Sequence, residues 1–256
     1  MKKNIAVINT KGGVGKSTLS YNLLPYLLRG KEFQIIEIDD NNDTSSSFVS
    51  SELLNGKIVS CDISQGTLKL EELVVDNMLD DKKVTLIDGG GGNDSKLIIQ
   101  ALVKEDLAKD TLFIIPYFPD FSQLKNLFET VELVKNYDYM VVLNNFVKGS
   151  DDEKFKDGNE DFEIPNISEI FKKNFAIVPK SNLFSYSSSI LKQSIFDFAK
   201  IAFDYDRKQI LEYAKDVTGG DKDKITQIYR DWKNSDNAKD YLQSVEIDEF
   251  KRRVLK

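Results

Sequence analysis

Histidine is absent from the 256-residue chain, and cysteine occurs once, as Cys61. The first absence excludes a Ser-His-Asp triad and any histidine-ligated metal, so acid–base work falls to carboxylates, lysines or water. The second excludes an internal disulfide and a cysteine-based metal cluster. No apolar run approaches the roughly 20 residues that span a bilayer. Positive charge is in deficit: 35 Lys and Arg stand against 42 Asp and Glu, a net charge of −7. That balance argues against coating DNA by bulk electrostatics and leaves only a local basic patch for such a role.

What is present indicates a packed domain. Hydrophobic residues make up 41 %, enough for one α/β domain with a substantial core and a helical appendage. The opening MKKNIAVINT runs directly into a glycine-rich segment and leaves no room for a cleavable signal, so a cytoplasmic protein is expected. Apolar runs at Ile5–Asn9, Phe33–Ile38, Val84–Ile87, Thr111–Ile115, Tyr139–Leu143 and Ala176–Val178 read as strands. They alternate with helical patterns near Lys16–Leu28, Ser95–Leu107, Ser122–Lys135 and Ile167–Asn174. This alternation predicts an α/β fold: a mostly parallel twisted sheet, helices on both faces, and a C-terminal helical segment. Pro25 should kink or shorten the first helix. After residue 200 the pattern is helical only, over Ile201–Val217, Asp221–Trp232 and Ala238–Lys256, with a turn at Thr218–Asp221. We expect a core over 1–200 and helices over 201–256 packed on it or extending it. The segment Lys148–Glu163, with seven acids and three lysines, reads as a solvated loop or a partner contact.

The chemistry centres on Lys11-Gly12-Gly13-Val14-Gly15-Lys16-Ser17-Thr18, between the first strand and the first helix. Such a turn points several backbone N–H groups at one place, and the helix dipole adds attraction for phosphate. Lys16 would reach the β- and γ-phosphates and Ser17 would offer its hydroxyl to Mg²⁺. The run Val84-Thr85-Leu86-Ile87-Asp88 has the form of a Walker B strand, with Asp88 holding the magnesium through water. Four glycines follow, Gly89–Gly92, and suggest a mobile switch segment. Asn144 follows the fifth strand candidate. Without the Asn-Lys-x-Asp pattern that reads guanine, ATP is the expected nucleotide.

The lysine at the start of the loop, Lys11, gives the chain its likeness. KGGVGKST resembles the deviant Walker A motif of the ParA/MinD ATPases, a P-loop NTPase family. The resemblance implies a homodimer with ATP sandwiched between subunits, Lys11 of each reaching the phosphates of the other. It places Asp39 on the acid that positions the attacking water close to Mg²⁺, with Glu37 on the family's first acid. The family's Pro-Gln is here Asp40-Asn41. Asn144 and Pro179 would line the nucleotide pocket beside Gly12, Gly13, Val14, Gly15, Lys16, Ser17 and Thr18. A basic residue at the position of Lys180 is linked to DNA binding in the family. The basic tail Lys251, Arg252, Arg253 and Lys256 is read either as a DNA contact or as a solvated helix end.

The expected activity is slow, partner-stimulated ATP hydrolysis to ADP and phosphate. The implied task is partition of a plasmid or chromosome, with nonspecific DNA binding in the ATP-bound state, nucleoid association, and a ParB-type centromere-binding partner. The sequence leaves no room for a helix-turn-helix before Ile5. Two other readings stand beside this one. One is a MinD-like or conjugation-associated positioning ATPase acting on a membrane or protein cargo, although the short apolar face of the tail predicts little membrane affinity. The other, motivated by the glycine run, is an adaptor that binds ATP without useful turnover.

Overall fold

A computed structural model describes residues 2–38, 44–64, 66–80 and 82–256 of the chain; residues 39–43, which include Asp39, Asp40 and Asn41, lie outside the described residues. Among the described residues seven strands form one parallel sheet: β1 (Asn4–Val7), β2 (Glu32–Glu37), β3 (Ile58–Ser60), β4 (Lys83–Asp88), β5 (Thr111–Tyr117), β6 (Asp138–Phe146) and β7 (Phe175–Pro179). Their order is β3-β2-β4-β1-β5-β6-β7. β1 therefore lies between β4 and β5, where the chain's outward progression reverses, and ligands of open parallel sheets bind at the carboxyl ends of such strands.

Both faces of the sheet are covered, as a parallel sheet requires. Alternate residues of β1 and its extension serve the two cores. Ile5 and Val7 join one cluster with Leu19, Leu23 and Leu28, while Ala6 and Ile8 join the other with Ile98, Leu102 and Leu127. The C-terminal helices enter the first cluster through Phe198, Ala238, Leu242, Ile247, Phe250 and Val254. They share the apolar core of β1 and β4.

The observed strands match the expected ones within a few residues. Several elements lie outside the expected set, among them one strand and one long helix. β3 is three residues long and only partly buried, too short to show periodicity. The helix Leu68–Met78 carries an amphipathic pattern that was overlooked. The helix from Lys16 to Leu28 bends its hydrogen bonding rather than breaking at Pro25. A π-helical stretch, Leu19–Leu23, joins Lys16–Thr18 to Leu24–Leu28, and the Leu24 N–H reaches back to the Leu19 carbonyl. Proline has no N–H to continue the ordinary ladder, and the wider turn lies just ahead of it.

The C-terminal helices are Ile195–Asp204, Arg207–Thr218, Lys222–Leu242 and Val245–Val254. The first expected helix is thus split at Tyr205, where Asp206 closes a capping box with Gln209. The turn at Thr218–Asp221 is present, with Gly219 at φ +62° and Asp221 capping the next helix. The acidic segment 148–163 is not simply solvated. It forms short helical turns, buries Phe155, and accepts a hydrogen bond at the Phe155 carbonyl from the Tyr117 hydroxyl (2.9 Å).

One carboxylate ties the stretch after β2 to the C-terminal layer. Ser194 caps the helix Ile195–Asp204 by accepting from the Asp197 N–H (3.2 Å). The Asp197 carboxylate accepts from Ser194 Oγ (2.8 Å), from Ser51 Oγ, and from the Leu53 N–H (3.1 Å). Asn22, on the first helix, accepts from the Ile195 N–H (2.9 Å).

Candidate functional site

The loop that follows β1 is held from beneath before any ligand arrives. Asn9, fully buried, donates through Nδ2 to the Pro116 carbonyl (2.8 Å) and accepts from the Lys11 N–H through Oδ1 (2.8 Å). The Asn9 N–H donates to Ser95 Oγ (3.2 Å), and that hydroxyl lies 3.0 Å from the Asn9 carbonyl and 3.1 Å from that of Gly90. The chain then turns through Gly13 at φ +74° and Gly15 at φ +86°, left-handed values that cost side-chain-bearing residues energy. The Gly15 carbonyl accepts the Leu19 N–H (3.2 Å), which starts the helix. Val14 is buried and pins the loop to the core, whereas Gly12 and Gly13 are exposed at its rim.

Lys16 is buried, and its Nζ donates to the Lys11 carbonyl (3.1 Å), spanning the loop from inside. Lys11 itself is exposed. Its charge acts on Asp120, whose carboxyl is held below the usual range chiefly by hydrogen bonds from Ser122. The two lysines of the motif therefore differ in kind: one faces into the loop and the other faces out.

Asp88 ends β4, beside the loop. It is buried and accepts from Ser20 Oγ (2.7 Å) and from Ser17. Burial pushes its carboxyl up to about 6, against the pull of those hydroxyls and of Lys16. Glu37 is its neighbour across β2 and β4 and adds to the upward push. Glu37 in turn accepts from the Ser45 N–H (3.0 Å) and Ser60 Oγ (3.3 Å).

A divalent cation fits this donor set. Ser17 and Asp88 supply one hydroxyl and one carboxylate, and among the described residues no group of three or more acidic or soft ligands forms a closed cage. Mg²⁺ is typically held in this way, by one or two protein oxygens and completed by water and nucleotide phosphate. Asp39, the second expected carboxylate, lies outside the described residues.

The glycine run begins packed against neighbouring backbone. A Cβ on Gly89 would meet the Val7 carbonyl at 2.9 Å, and one on Gly90 would meet the Ile38 carbonyl at 2.9 Å. The Gly89 N–H donates to Val7 O (3.1 Å) and the Gly92 N–H to Thr10 O (3.0 Å). At Gly89 and Gly90 only glycine fits, because the backbone passes against β1 and the strand end carrying Ile38.

A cavity of about 310 Å³ opens beside Ser17 and Thr18. Asn144, Pro179, Phe48 and Phe118 line it, with a row of hydroxyls that includes Thr44, Ser47, Ser181, Ser185 and Ser188. Asn144 and Pro179 were expected here. The hydroxyl wall was not, although the run Ser185-Tyr186-Ser187-Ser188-Ser189 is visible in the sequence. Asn144 also braces the loop: its Nδ2 donates to the Val14 carbonyl (3.1 Å) and its Oδ1 accepts from the Asn145 N–H (3.0 Å). Ser20 was likewise unread; its hydroxyl donates to Asp88 at 2.7 Å.

Of the residues expected to touch DNA, Lys180 lies at the rim of this cavity, between Pro179 and Ser181 of its wall, and the basic tail lies away from it. Lys180 is exposed just past β7. Arg252 is exposed at the other end of the sheet, while Arg253 is engaged by Glu249 (2.7 Å) and the Lys173 carbonyl. Lys251 is partly buried on the same helix.

Comparison with known proteins agrees with this geometry. A family described as the CobQ/CobB/MinD/ParA nucleotide binding domain matches residues 5–184. The sporulation initiation inhibitor protein Soj of Bacillus subtilis (strain 168) is 30% identical over 145 residues, 56% of this chain and 49% of that protein. The chain thus matches about half the length of this curated relative. Two solved structures share the fold. The MinC:MinD cell division protein complex of Aquifex aeolicus aligns at a TM-score of 0.53 and 19% identity, covering 77% of this chain and 89% of that one. A plasmid partition protein of Borrelia burgdorferi B31, solved with AMPPNP, aligns at 0.52 and 16%, covering 90% and 99%.

Proposed function

Since the chain belongs to the CobQ/CobB/MinD/ParA nucleotide-binding family, we propose that it is a ParA-like ATPase, a nucleotide-driven dimer switch that partitions DNA. One observation carries the reading. Lys16 closes the phosphate loop from inside while Lys11, five residues earlier, stands exposed at its rim. A lysine facing outward has no task in a phosphate loop that works alone; it has one where a second subunit closes over the nucleotide.

In this reading ATP binds with its phosphates on the backbone of Gly12–Ser17 and its base in the cavity lined by Asn144 and Pro179. Mg²⁺, held by Ser17 and Asp88, supplies charge neutralisation at the phosphates. Lys16 and the loop N–H groups fix the phosphate chain, and Asp39 orients the attacking water. Lys11 reaches the partner's nucleotide and makes turnover depend on dimerisation. The ATP-bound dimer binds DNA without sequence preference and associates with the nucleoid; a ParB-type centromere-binding protein stimulates hydrolysis and release. The tail helix argues against the membrane alternative. Ile247, Phe250 and Val254, its apolar face, are buried in the core and not available to lipid.

The test is light scattering together with binding to a nonspecific duplex, under ATP, ADP and no nucleotide. A dimer formed only with ATP, binding DNA in a salt-sensitive way, supports the reading. A chain that binds ATP but stays monomeric sinks it.

A further inference from the structure

We propose that the end of the sheet opposite the phosphate loop is a binding surface for the phosphate backbone of duplex DNA, built on Lys2, Lys3, Lys31, Lys82 and Lys83. The inference takes its partner from the reading above; it adds where that partner binds, and how the dimer strengthens binding.

Topology assembles the surface. Lys2 and Lys3 precede β1, Lys31 precedes β2, and Lys82 and Lys83 lead into β4. These three strands are sheet neighbours and run parallel, so their starting ends lie side by side, about 5 Å apart. The five lysines line a single open cleft of about 630 Å³ in which Glu32 is the acid among the described residues.

On three of the five lysines the charge has no ion-pair partner among the described residues. Many lysines elsewhere sit three or four residues from an acid that they pair with, such as Lys109 with Asp106, Lys135 with Glu132 and Lys172 with Glu169. Lys31, Lys82 and Lys83 form no ion pair with any described residue. Lys2 holds Asp138 (2.7 Å), and Lys3 Nζ donates to the Asp80 carbonyl (3.1 Å). Lys2 also lines an adjoining cleft of about 1050 Å³ with Lys173, Arg252 and Lys256. The basic track therefore continues along the starting ends of β5 to β7 and takes in the basic tail. Among the described residues the two clefts together hold nine basic and three acidic side chains, which leaves the rest of the chain thirteen charges negative. In a chain of net charge −7, basic charge gathered so unevenly creates a local field that attracts an extended anion.

The chemistry selects a nucleic-acid backbone. Lysines act as point charges on phosphate and carry no base readout, so binding is sequence-neutral. The apolar residue of the cleft is Val84, 2% exposed, whereas a lipid surface demands apolar side chains that can insert. Leu79, exposed at a nearby helix end, is the reason for a lipid arm in the test.

The cleft and the phosphate loop lie at opposite ends of β1, so nucleotide and DNA do not compete for space. Two chains joined through Lys11 would carry their clefts at the outer ends. One cleft binds weakly in any nucleotide state; two on one dimer bind with the added strength of a bivalent ligand.

The experiment compares wild type, Lys31→Glu/Lys82→Glu/Lys83→Glu, and a control of equal net charge, Lys208→Glu/Lys222→Glu/Lys233→Glu, all at exposed or half-buried positions. Each is titrated onto a labelled duplex of arbitrary sequence across a salt series, with fluorescent ATP binding and dimerisation measured in parallel. The cleft variant should lose at least tenfold in DNA affinity, and its salt slope should fall by about 3. The control should stay within about twofold, and all three should bind ATP alike. Unchanged DNA binding by the cleft variant, or equal loss in the control, overturns the surface. Wild type that binds ATP and dimerises but never binds DNA overturns the DNA partner. Cleft-dependent capture by phosphatidylglycerol vesicles in place of DNA overturns it in favour of a membrane. Cleft-dependent DNA binding without ATP-driven dimers would leave this surface standing while the switch reading fails.

Discussion

The amide of Asn144 stands where a side chain at position 15 would begin: a Cβ on Gly15 would lie 2.0 Å from Asn144 Nδ2, the atom that donates to the Val14 carbonyl. The end of β6 and the crest of the phosphate loop are thereby interlocked. The loop owes its shape to a side chain more than a hundred residues away as well as to its own glycines.

Gly15→Ala should therefore be doubly unfavourable. It forces an alanine into φ +86° and displaces Asn144. We expect about 1–3 kcal/mol lost in urea denaturation and at least tenfold weaker binding of fluorescent ATP. Adding Asn144→Ala should recover the steric part and leave the backbone part. Full recovery in the double variant would show that φ carries no cost.

Asp88→Asn separates stability from function. Burial raises the native carboxyl from 3.8 to about 6, so between those pH values the folded chain holds a proton that the unfolded chain has released. Wild-type stability should fall as pH rises through this window, by up to about 3 kcal/mol. The asparagine variant lacks that fall. It should be more stable than wild type at pH 7.5 and equal to it at pH 4, while losing magnesium-dependent nucleotide affinity. A variant less stable than wild type at pH 7.5 would show that the carboxylate is stabilising instead.

The two lysines of the loop should give different defects. Lys16→Ala removes the ammonium inside the loop and should abolish ATP binding in calorimetry. Lys11→Ala removes an exposed side chain and should leave ATP binding within a few-fold while dimerisation and turnover are lost. Tight ATP binding by Lys16→Ala would sink the assignment of the loop.

Asp197→Ala cuts the tie between the stretch after β2 and the C-terminal helices. The carboxylate receives Ser51, Leu53 and Ser194, so we expect a cost of about 1–3 kcal/mol. It should show as a lower denaturation midpoint with an unchanged slope. An unchanged midpoint would mean that water replaces the carboxylate at no cost.

The sequence is most legible where backbone geometry dictates residue type. Gly13 and Gly15 take positive φ, Lys16 and Ser17 follow at fixed offsets, and Asp88 ends a buried strand, so all could be placed without coordinates. Gly89 and Gly90 were visible, but the closeness of β1 and of the Ile38 carbonyl that requires them there is a tertiary fact that no local pattern carries. Ser20, Thr44 and Ser47 were missed because a hydroxyl joins a site only when distant segments converge on it, as Asp88 does on Ser20 and the cavity wall does at Thr44 and Ser47. The lysines of the basic cleft lie in three separate stretches, unremarkable until the strand order places them together. The negative total charge concealed them.

The bond from Lys16 Nζ to the Lys11 carbonyl has a kinetic consequence. The ammonium spans the loop by holding one of its own oxygens, so the arriving phosphate meets a formed cradle and takes over an existing hydrogen bond. Association should then proceed near the rate at which nucleotide finds the site, since no slow folding of the loop precedes it. The chain would register the cell's ATP-to-ADP ratio promptly, and any delay in its cycle would belong to the steps after capture.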